Sequence, residues 1–483
     1  MSRPKRVAFV SLGCVKNLVD SEKMLGQLVE GGCHITADET DADVVVVNTC
    51  GFLSAARDEA LQVIRGATEL KRTGRCRRVV VAGCLVQRDG ESLLDQVKGI
   101  DALVGVNNRD DVLRAVLAGG GKNKRGRRRV DRYLGHYYPH FDDDTARLRI
   151  TPRHYAYLRV SEGCDQKCTF CTIPSIRGPL HSKPPEAILA EARELVGDGA
   201  AEIILIGQDT TSYGADIDYG PGLAGLLRRL DAEIDGLRWI RLMYAYPSAM
   251  TDEIIDAVAD CHRVVKYIDL PLQHINDRVL KAMHRRVDRR TTERLLEKIR
   301  ARIPGVAVRT TLIAGFPGET EAEFEELLDF VRASEFEALG VFAYSQEPDT
   351  PSGRMTGQLS EAAKRQRVDA LMTIQQKVAF KLVERQLGRE FEALVEGSPV
   401  DGLVPARHAG QAPEVDSRTW LQMPAGPVAA RADGRPARPQ ASRCALKTDP
   451  PAGCFVPARC TGRQDYDLLA TPACVTLPVL DSA

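Results

Sequence analysis

A strand followed by a helix recurs six times between about Tyr155 and Ser345, and this alternation constrains the fold more than any other feature of the chain. Right-handed strand–helix units of this number build most of a (β/α) barrel, in which side chains at the carboxyl ends of the strands face the active mouth. We therefore predict a partial (β/α)6 barrel in the middle of the chain. The predicted strands are YAYLRVSEGC, EIILIGQD, WIRLMYAYP, YIDLPLQH, VAVRTTLIAGFP and ALGVFAYS.

Three cysteines with C-x-x-x-C-x-x-C spacing follow the first of these strands: Cys164, Cys168 and Cys171, the loop cysteines. Three thiolates this close can ligate three irons of a four-iron cluster and leave the fourth iron open to a substrate or cofactor. The alternative is a zinc site, although structural zinc prefers four ligands in paired C-x-x-C form. The loop therefore predicts an iron–sulfur centre at the mouth of the barrel.

Three more cysteines each end a short apolar run, VAFVSLGC, DADVVVVNTC or RRVVVAGC: Cys14, Cys50 and Cys84, the strand-end cysteines. Runs this short and rich in Val predict buried parallel strands, and ligands of an open α/β sheet collect outside the carboxyl ends of its strands. The three thiols should therefore converge on one metal or redox site. Three other cysteines are expected to be buried and inert: Cys33, Cys76 and Cys261.

Length, charge and hydropathy indicate which broad classes of protein the chain resembles. The 483 residues contain 66 Lys plus Arg and 66 Asp plus Glu, so net charge does not point to nucleic acid. This length predicts several domains. No apolar stretch is long enough to span a membrane, and the start, MSRPKRVAFVSLGC, lacks the long h-region and cleavage site of a signal peptide. We expect a cytoplasmic protein without a membrane partner.

Changes of pattern divide the chain into domains. An amino-terminal open α/β domain is predicted at residues 1–120, a glycine-rich, basic linker at 121–150 and the barrel core at 151–385. A long helix with Ser360 as its N-cap ends the core.

The last domain, residues 386–483, changes to the short β segments EFEALVEG, TWLQM, CFVPARC and DYDLLATP. These predict a small antiparallel β-barrel with an insert around 424–450. Outside the insert and from Glu390 onward, nine acids stand against four bases. A phosphate-binding face should be basic, so this composition favours a basic protein partner, although merely solvated acids would give the same count.

Several motifs together resemble those of the radical S-adenosylmethionine (SAM) methylthiotransferases: LGCVKNLVDSE, NTCGF, GCLVQR, SEGCDQKCTFCTIPSIRG, YIDLPLQHINDRVLKAM and GFPGETEAEFEELLDFV. The likeness runs from about residue 6 to residue 470. GCVKN and SEGC are similar to the branch that modifies an aspartate of a ribosomal protein, whereas tRNA-modifying relatives typically carry a first motif like GCQMN.

The resemblance implies an amino-terminal methylthiotransferase domain, a radical SAM core and a carboxyl-terminal, OB-like TRAM domain. It implies two 4Fe–4S clusters and SAM as cofactors. The loop cysteines would hold the cluster whose open iron binds SAM, and the strand-end cysteines would hold a second cluster that carries an extra sulfur atom. Phe170 matches an aromatic position near the adenine of SAM.

The implied activity is β-methylthiolation of an aspartate in small-subunit ribosomal protein twelve, a sulfur-group transfer. No side chain can deprotonate an unactivated C–H bond at neutral pH, so a cofactor must supply a radical. We expect a monomer; its electron donor, its sulfur source and whether its target is free or in the subunit are left open. Two alternatives remain: an adenosine of tRNA as the substrate, or a ribosome-binding iron–sulfur protein without turnover.

Further candidate residues lie at predicted strand ends. Gln208 and Asp209 end the second barrel strand, where the methionine group of SAM is expected. The GFPGE segment, Gly315 to Glu319, resembles a SAM-facing turn, although its glycines could serve the turn alone. Gln273 and His274 close the fourth strand, where a hydrogen-bonded structural histidine is favoured.

Two segments depart from the family pattern. The insert is rich in Pro, Ala and Arg and predicts a disordered loop. Four cysteines near it have no C-x-x-C pairing and are expected to be isolated thiols: Cys444, Cys454, Cys460 and Cys474. PARHAGQAPEVD differs from the GRS-containing form expected of the family.

Overall fold

A computed structural model describes residues 3–119, 129–135, 144–423 and 450–473. The predicted insert, apart from Pro450, and the thiols of Cys444 and Cys474 lie outside these residues. Within the described ranges, no helix combines the length and apolar character needed to cross a membrane.

The amino-terminal domain is an open α/β sheet. Its strands are β1 (Arg6–Ser11), β2 (His34–Thr36), β3 (Val44–Thr49), β4 (Arg78–Gly83), β5 (Ala102–Val104) and β6 (Asp131–Tyr133). Its helices are α1 (Val15–Glu30), α2 (Ser54–Thr73), α3 (Cys84–Asp89), α4 (Leu93–Gln96) and α5 (Val112–Leu117). All pairings are parallel, in the order β2-β1-β3-β4-β5-β6.

The valine run of β3 is buried on both faces of this sheet. Val45 and Val47 pack with Ile64 of α2, whereas Val44 and Val46 pack on the opposite side with Met24 of α1 and its neighbours. Successive side chains alternate between faces, so a strand covered by helices on both sides must be apolar throughout. This confirms the buried parallel strands expected from the sequence.

Part of the predicted linker belongs to this sheet. Asp131–Tyr133, inside the range 121–150, forms β6 and pairs in parallel with β5. The strand has only three residues and contains two charged side chains, so no apolar pattern distinguishes it from a basic linker.

The central domain is a six-stranded parallel sheet in the order β14-β13-β12-β11-β10-β7, an open (β/α)6 barrel as predicted. Its strands, with the small hairpin β8–β9, are β7 (Tyr155–Arg159), β8 (Ser161–Glu162), β9 (His181–Ser182), β10 (Glu202–Ile206), β11 (Trp239–Leu242), β12 (Val264–Asp269), β13 (Ala307–Ala314) and β14 (Ala338–Ala343). Its helices are α6 (Ile173–Arg177), α7 (Pro185–Gly197), α8 (Gly222–Glu233), α9 (Asp252–Asp260), α10 (Asp277–Ala282), α11 (Arg289–Arg302), α12 (Glu321–Ser334) and α13 (Glu361–Glu384). The 3-10 turns of the chain are Glu39–Asp41, Gly90–Ser92, Val106–Asp111, Pro247–Ala249 and Ser352–Arg354.

The two faces of the barrel sheet bury different partners. Ile203 and Leu205 of β10 pack outward into the core formed with the surrounding helices. Ile204 and Ile206 pack on the concave face with Val19 of α1, which brings the amino-terminal domain against the barrel. Ser360 caps α13 by accepting from the Ala363 N–H, as predicted.

The last domain is a closed β-barrel in the order β15-β16-β17-β19-β18. Its strands are β15 (Glu390–Val395), β16 (Leu403–His408), β17 (Thr419–Gln422), β18 (Phe455–Gln464) and β19 (Asp467–Pro472). The sequence pattern missed β16 because Pro405 and Arg407 interrupt its apolar run. Arg407 is buried and paired with Glu202 and Glu396, which satisfies its charge inside the protein.

The segment that departs from the family pattern joins this β-barrel to the (β/α)6 barrel. Glu414 accepts from the Tyr155 hydroxyl at 2.8 Å, and Asp416 accepts from the Tyr267 hydroxyl at 2.8 Å. Tyr155 begins β7, so the segment covers the amino-terminal end of the barrel, away from its mouth. Glu414 and Asp416 are thus engaged between domains, and Glu396 is paired with Arg407, so the acidic count from the sequence overstates the charge available to a partner.

Candidate iron–sulfur and SAM site

The loop cysteines lie just past β7 and β8 on the segment that leads into α6. The backbone N–H of Gln166 points at Cys164 Sγ at 3.4 Å, and that of Ile173 points at Cys171 Sγ at 3.4 Å. Donors aimed at sulfur favour the thiolate form that binds metal. The loop is therefore folded around its sulfur atoms.

Cys168 has polar neighbours from two other parts of the barrel. The Tyr246 hydroxyl lies 3.9 Å from its Sγ, and Arg285 donates to the same atom at 3.7 Å. The Arg285 guanidinium also lies 4.1 Å from the centre of the Tyr246 ring. This pair places a cation and a hydroxyl beside a sulfur that becomes anionic when it binds iron.

Burial sets the protonation of the remaining loop thiols. It raises the pKa of Cys164 and that of Cys171 to about 12. Both are thiols at neutral pH until a metal takes the place of the proton. Cluster assembly at this loop should therefore release protons.

The strand-end cysteines lie near one another at the carboxyl edge of the amino-terminal sheet. Cys14 directly precedes α1, Cys50 directly follows β3, and Cys84 begins α3. Burial raises the pKa of the Cys50 thiol and, to about 12, that of Cys84, and the neighbouring Cys14 adds to both shifts. Cys14 is exposed while Cys84 is buried, so the set has an open side and a closed side.

A glycine makes the approach of these cysteines possible. Gly13 has φ +94°, and a Cβ at this position would lie 2.8 Å from Cys50 Cβ. A larger residue would meet both a strained backbone and a steric clash. The close approach of Cys50 therefore requires glycine at position 13, next to Cys14.

Arg177, at the end of α6, connects the two cysteine sets. It donates to Cys84 Sγ at 3.3 Å and to Asp20 of α1 at 2.8 Å. The residue lies in the barrel domain, six positions after Cys171. One side chain thus extends from the loop that carries the first set to a member of the second.

Lys16 and Tyr244 form a second contact between the amino-terminal domain and the barrel. Lys16 is 6% exposed, and its Nζ lies 2.8 Å from the centre of the Tyr244 ring. Burial lowers the pKa of Lys16 to about 7. Tyr244 adopts φ +61°, uncommon for a residue with a side chain, and its N–H donates to Asp269 at 3.0 Å.

Three thiols in each set are the donor chemistry that a four-iron cluster uses. In the described part of the chain, no three His, Cys, Asp or Glu side chains are close enough to hold one metal ion. Tetrahedral zinc would bring its sulfurs to about 3.8 Å from one another, so the zinc hypothesis gains no support. A four-iron cluster spreads its cysteines over separate irons, and three cysteines in each set suit it.

Phe170, Gln208 and Asp209 lie past the carboxyl ends of the first two barrel strands, β7 and β10. Phe170 packs with Phe316 and Tyr344. The Gln208 Oε1 atom is buried and has no hydrogen-bond partner among the described residues. Asp209, by contrast, accepts from Gln166 of the cysteine loop at 3.0 Å and also from Thr211 and Ser212. Its carboxylate is occupied by the protein itself.

Gly315 and Glu319 are committed to the turn after β13. Glu319 is buried, accepts from the N–H groups of Gly315 and Phe316, and pairs with Arg367 at 2.5 Å. Although burial opposes it, hydrogen bonds and the nearby His274 and Arg367 lower the pKa of Glu319. Gly315 has φ +78°, and a Cβ there would lie 2.6 Å from Lys364 Cγ. These contacts explain the motif without any contact to SAM.

Gln273 and His274 continue β12 toward the mouth. Gln273, with φ +74°, donates its N–H to Thr311 and accepts from Ile313, so it bridges to β13. His274 is fully buried, and its Nδ1 accepts from the Asn276 N–H at 3.0 Å. This agrees with the structural histidine that the sequence favoured.

Other residues around the sulfurs were not found from the sequence. Lys16 lies in the GCVKN motif, so its proximity to Cys14 was visible, but its partner was not. Tyr244 and Tyr246 follow β11, Arg285 follows α10, and none of the three belongs to a motif. Only the fold brings them to the cysteines.

A cavity of about 700 Å³ elsewhere in the molecule is a rival location. It is lined by Lys266, Ala307 and Glu337 near the starts of β12, β13 and β14, together with His408 of the last domain. Barrel enzymes do chemistry at the carboxyl ends of the strands. The cysteines lie at that end, and the cavity lies at the other.

Three family models match the chain: the radical SAM superfamily at residues 158–331, the uncharacterized protein family UPF0004 at 6–105 and the TRAM domain at 387–472. A solved structure of the radical SAM methyltransferase TsrM from Kitasatospora setae aligns with a TM-score of 0.51 at 17% identity, covering 73% of this chain and 77% of that one. The likeness concerns the fold. The fold and the two cysteine sets define a three-domain radical SAM protein.

Two curated relatives narrow the assignment. A protein of Symbiobacterium thermophilum is 45% identical over 97% of this chain and 91% of its own length. A protein of Geobacter sulfurreducens is 44% identical over 87% of this chain and 94% of its own length. Both are named ribosomal protein uS12 methylthiotransferase RimO. The chain belongs to the RimO family.

Proposed function

We propose that this chain is a sulfur-group transferase that methylthiolates the β-carbon of an aspartate in ribosomal protein uS12. The observation that carries the proposal is the pairing of two three-cysteine sets, each at the carboxyl edge of a parallel sheet, connected by Arg177. The names of the relatives supply the substrate. One site could initiate the reaction while the other supplies the sulfur group.

Two 4Fe–4S clusters and SAM, when bound, supply a 5′-deoxyadenosyl radical at the loop cysteines and a methylthio group at the strand-end cysteines. The C–H bond of the aspartate breaks, its hydrogen leaves in 5′-deoxyadenosine, and a C–S bond forms. A low-potential electron donor and a sulfide source provide the electrons and the sulfur, and a second SAM provides the methyl group.

The chain's own residues would shield and position these groups. Tyr246 and Arg285 cover Cys168 and limit the access of water to that sulfur. Phe170, packed with Phe316, offers an apolar wall suited to an adenine ring. Such positioning and exclusion of water are the protein's part in radical chemistry.

Gln208 is the best candidate for direct SAM recognition among the predicted residues. Its Oε1 lacks a hydrogen-bond partner among the described residues, and a buried acceptor without a donor costs free energy. The amino group of SAM would satisfy it. For Asp209, Gly315 and Glu319 we propose an indirect role, because their polar groups already hold the loop and the turn.

The exposed Cys14 gives the strand-end set its open side. An open iron there could be reached by sulfide and by a protein loop, whereas Cys84 is enclosed by Arg177 and Asn17. A substrate loop would thus enter between the amino-terminal domain and the barrel mouth. A cytoplasmic location, where ribosomal protein is available, is part of this proposal.

The direct test is mass spectrometry after anaerobic incubation of the cluster-reconstituted enzyme with SAM, reductant and sulfide. Purified uS12 and a tRNA anticodon stem-loop would be present in the same reaction. We expect a methylthio increment on uS12 alone, located on an aspartate. With β-deuterated aspartate in uS12, deuterium should appear in 5′-deoxyadenosine.

Three variants sharpen this test. Cys164→Ala should abolish 5′-deoxyadenosine formation, whereas Cys50→Ala should retain SAM cleavage and lose the methylthio product. Cys261→Ala, a buried thiol remote from both sets, is the control. An increment on RNA alone would assign the chain to tRNA modification. No SAM cleavage by the wild type would favour the iron–sulfur protein without turnover.

A further inference from the structure

Lys16 is a buried amine without a carboxylate partner among the described residues. Among residues 3–119, 129–135, 144–423 and 450–473, no carboxylate oxygen lies within ion-pairing distance of its Nζ, which contacts the face of the Tyr244 ring instead. An ammonium group taken out of water is costly unless an anion or hydrogen-bond acceptors replace its hydration. The amine of Lys16 therefore lacks the anion or acceptor that would offset its burial.

Two acids near Lys16 are already engaged by other groups: Asp269 of the barrel and Asp20, one helical turn further along α1. Asp269 accepts from Arg309 at 2.7 Å and from the Tyr244 N–H at 3.0 Å. Asp20 accepts from Arg159 at 2.6 Å and from Arg177 at 2.8 Å. Apart from the neighbouring Cys14, which would be a thiolate when it binds a cluster, a counterion for Lys16 would have to come from a bound molecule.

Lys16 lies near Cys14 of the strand-end set and contacts the barrel segment that carries Tyr246. Lys16 follows Cys14 by two residues at the start of α1, and its Nζ rests on Tyr244. Two residues further along the same segment, the Tyr246 hydroxyl approaches Cys168 of the loop set. A group bound to Lys16 would thus lie near Cys14 and beside the segment whose Tyr246 approaches Cys168.

We propose that Lys16 binds the side-chain carboxylate of the substrate aspartate and so positions its β-carbon between the two sites. This inference rests on the proposed function. The carboxylate is bonded directly to the carbon that reacts, so holding it fixes the orientation of the C–H bond. An asparagine in the same place would leave the ammonium unpaired, which makes Lys16 a specificity-determining residue.

The test is a two-by-two comparison of binding. The full-length, cluster-reconstituted wild type and Lys16→Met would each be titrated with uS12 and with uS12 carrying Asn at the modified aspartate, in the presence of SAM. We expect the wild type to bind the Asn form roughly 10- to 100-fold more weakly. Lys16→Met should bind both forms equally, at the weaker level. Lys298→Met, at an exposed ion pair with Asp252, should behave as the wild type.

Thermal unfolding of the cluster-free protein gives a second readout. Removal of an unpaired buried charge should leave the midpoint of Lys16→Met unchanged or higher. Lys16→Gln provides the same comparison with a neutral polar group. A fall of several degrees in both variants would make Lys16 a structural residue and overturn the proposal.

The remaining outcomes are separable. Equal discrimination between Asp and Asn by the wild type and Lys16→Met would overturn this inference and leave the proposed function intact. Weaker SAM binding by Lys16→Met, without uS12, would assign the ammonium to the carboxylate of SAM and likewise overturn it. Failure of the wild type to bind or modify uS12 would overturn both proposals.

Discussion

Arg177 donates to the sulfur of Cys84 at 3.3 Å across the boundary between the barrel and the amino-terminal domain. The same guanidinium pairs with Asp20 and Glu162, so it is held from three sides. A cation placed at a thiol favours the thiolate, because it offsets the negative charge. The two cysteine sets therefore share no cysteine, but the contacts of Arg177 connect the elements that carry them.

The separation of the ligand sets predicts their iron content. Cys84→Ala and Cys164→Ala should each reduce iron from about eight to about four atoms per reconstituted chain, and the double variant should bind almost none. Cys261→Ala should leave the iron unchanged, because its thiol is buried in the barrel core. Iron and sulfide analysis checks this. Loss of all iron in either single variant would contradict two independent clusters.

Glu319 should matter for stability more than Glu321, although both pair with Arg367. Glu319 is enclosed and holds the turn after β13, whereas the side chain of Glu321 is 73% exposed. Glu319→Gln should lower the free energy of unfolding by about 3 kcal/mol, because it breaks a buried ion pair. Glu321→Gln should change it by less than about 0.5 kcal/mol. Urea denaturation measures both, and equal losses would refute the turn-holding role.

Alanine substitutions at Gly315 and Gly305 distinguish the stability cost of a steric clash from that of backbone strain. Both have left-handed φ, +78° and +76°, but a Cβ at Gly305 has open space around it, whereas one at Gly315 meets Lys364. Gly305→Ala should cost about 1 kcal/mol. Gly315→Ala should cost roughly 3 kcal/mol, because a buried neighbour must also move. Thermal melts would rank the two, and the reverse order would contradict the close approach.

His408 predicts a pH dependence of stability. Burial, together with Arg241 and Arg407, lowers the pKa of His408 to about 4. Between pH 6.5 and 4 the unfolded chain binds a proton at this residue and the folded chain does not, so stability falls as the pH is lowered through this window. The loss is on the order of 1–3 kcal/mol.

The measurement is the unfolding midpoint of the wild type and His408→Asn across this pH range. The variant should lack this part of the acid sensitivity, and above pH 7 the two profiles should run parallel. His262→Asn, at an exposed histidine, is the control. Identical slopes for the wild type and His408→Asn would show that His408 is charged in the folded protein.

The sequence by itself determined the sheets and predicted where the sulfur sites lie on them. Six strand–helix units specified the barrel, and valine runs ending in Cys14, Cys50 and Cys84 specified a second set at a sheet edge. Both inferences rest on period and spacing, which local chain geometry transmits directly. The same logic failed at β6 and β16, where charged residues or Pro405 obscure a short strand.

Only the tertiary structure decided what surrounds the sulfurs. Arg177 at Cys84, Lys16 on Tyr244 and Tyr246 at Cys168 join residues from different domains or distant strands, and no local pattern encodes such contacts. It also showed that Asp209 and Glu319 are occupied by the protein, while Gln208 retains a free acceptor among the described residues. Residue type gives the capacity for hydrogen bonding, but packing decides whether that capacity is already used.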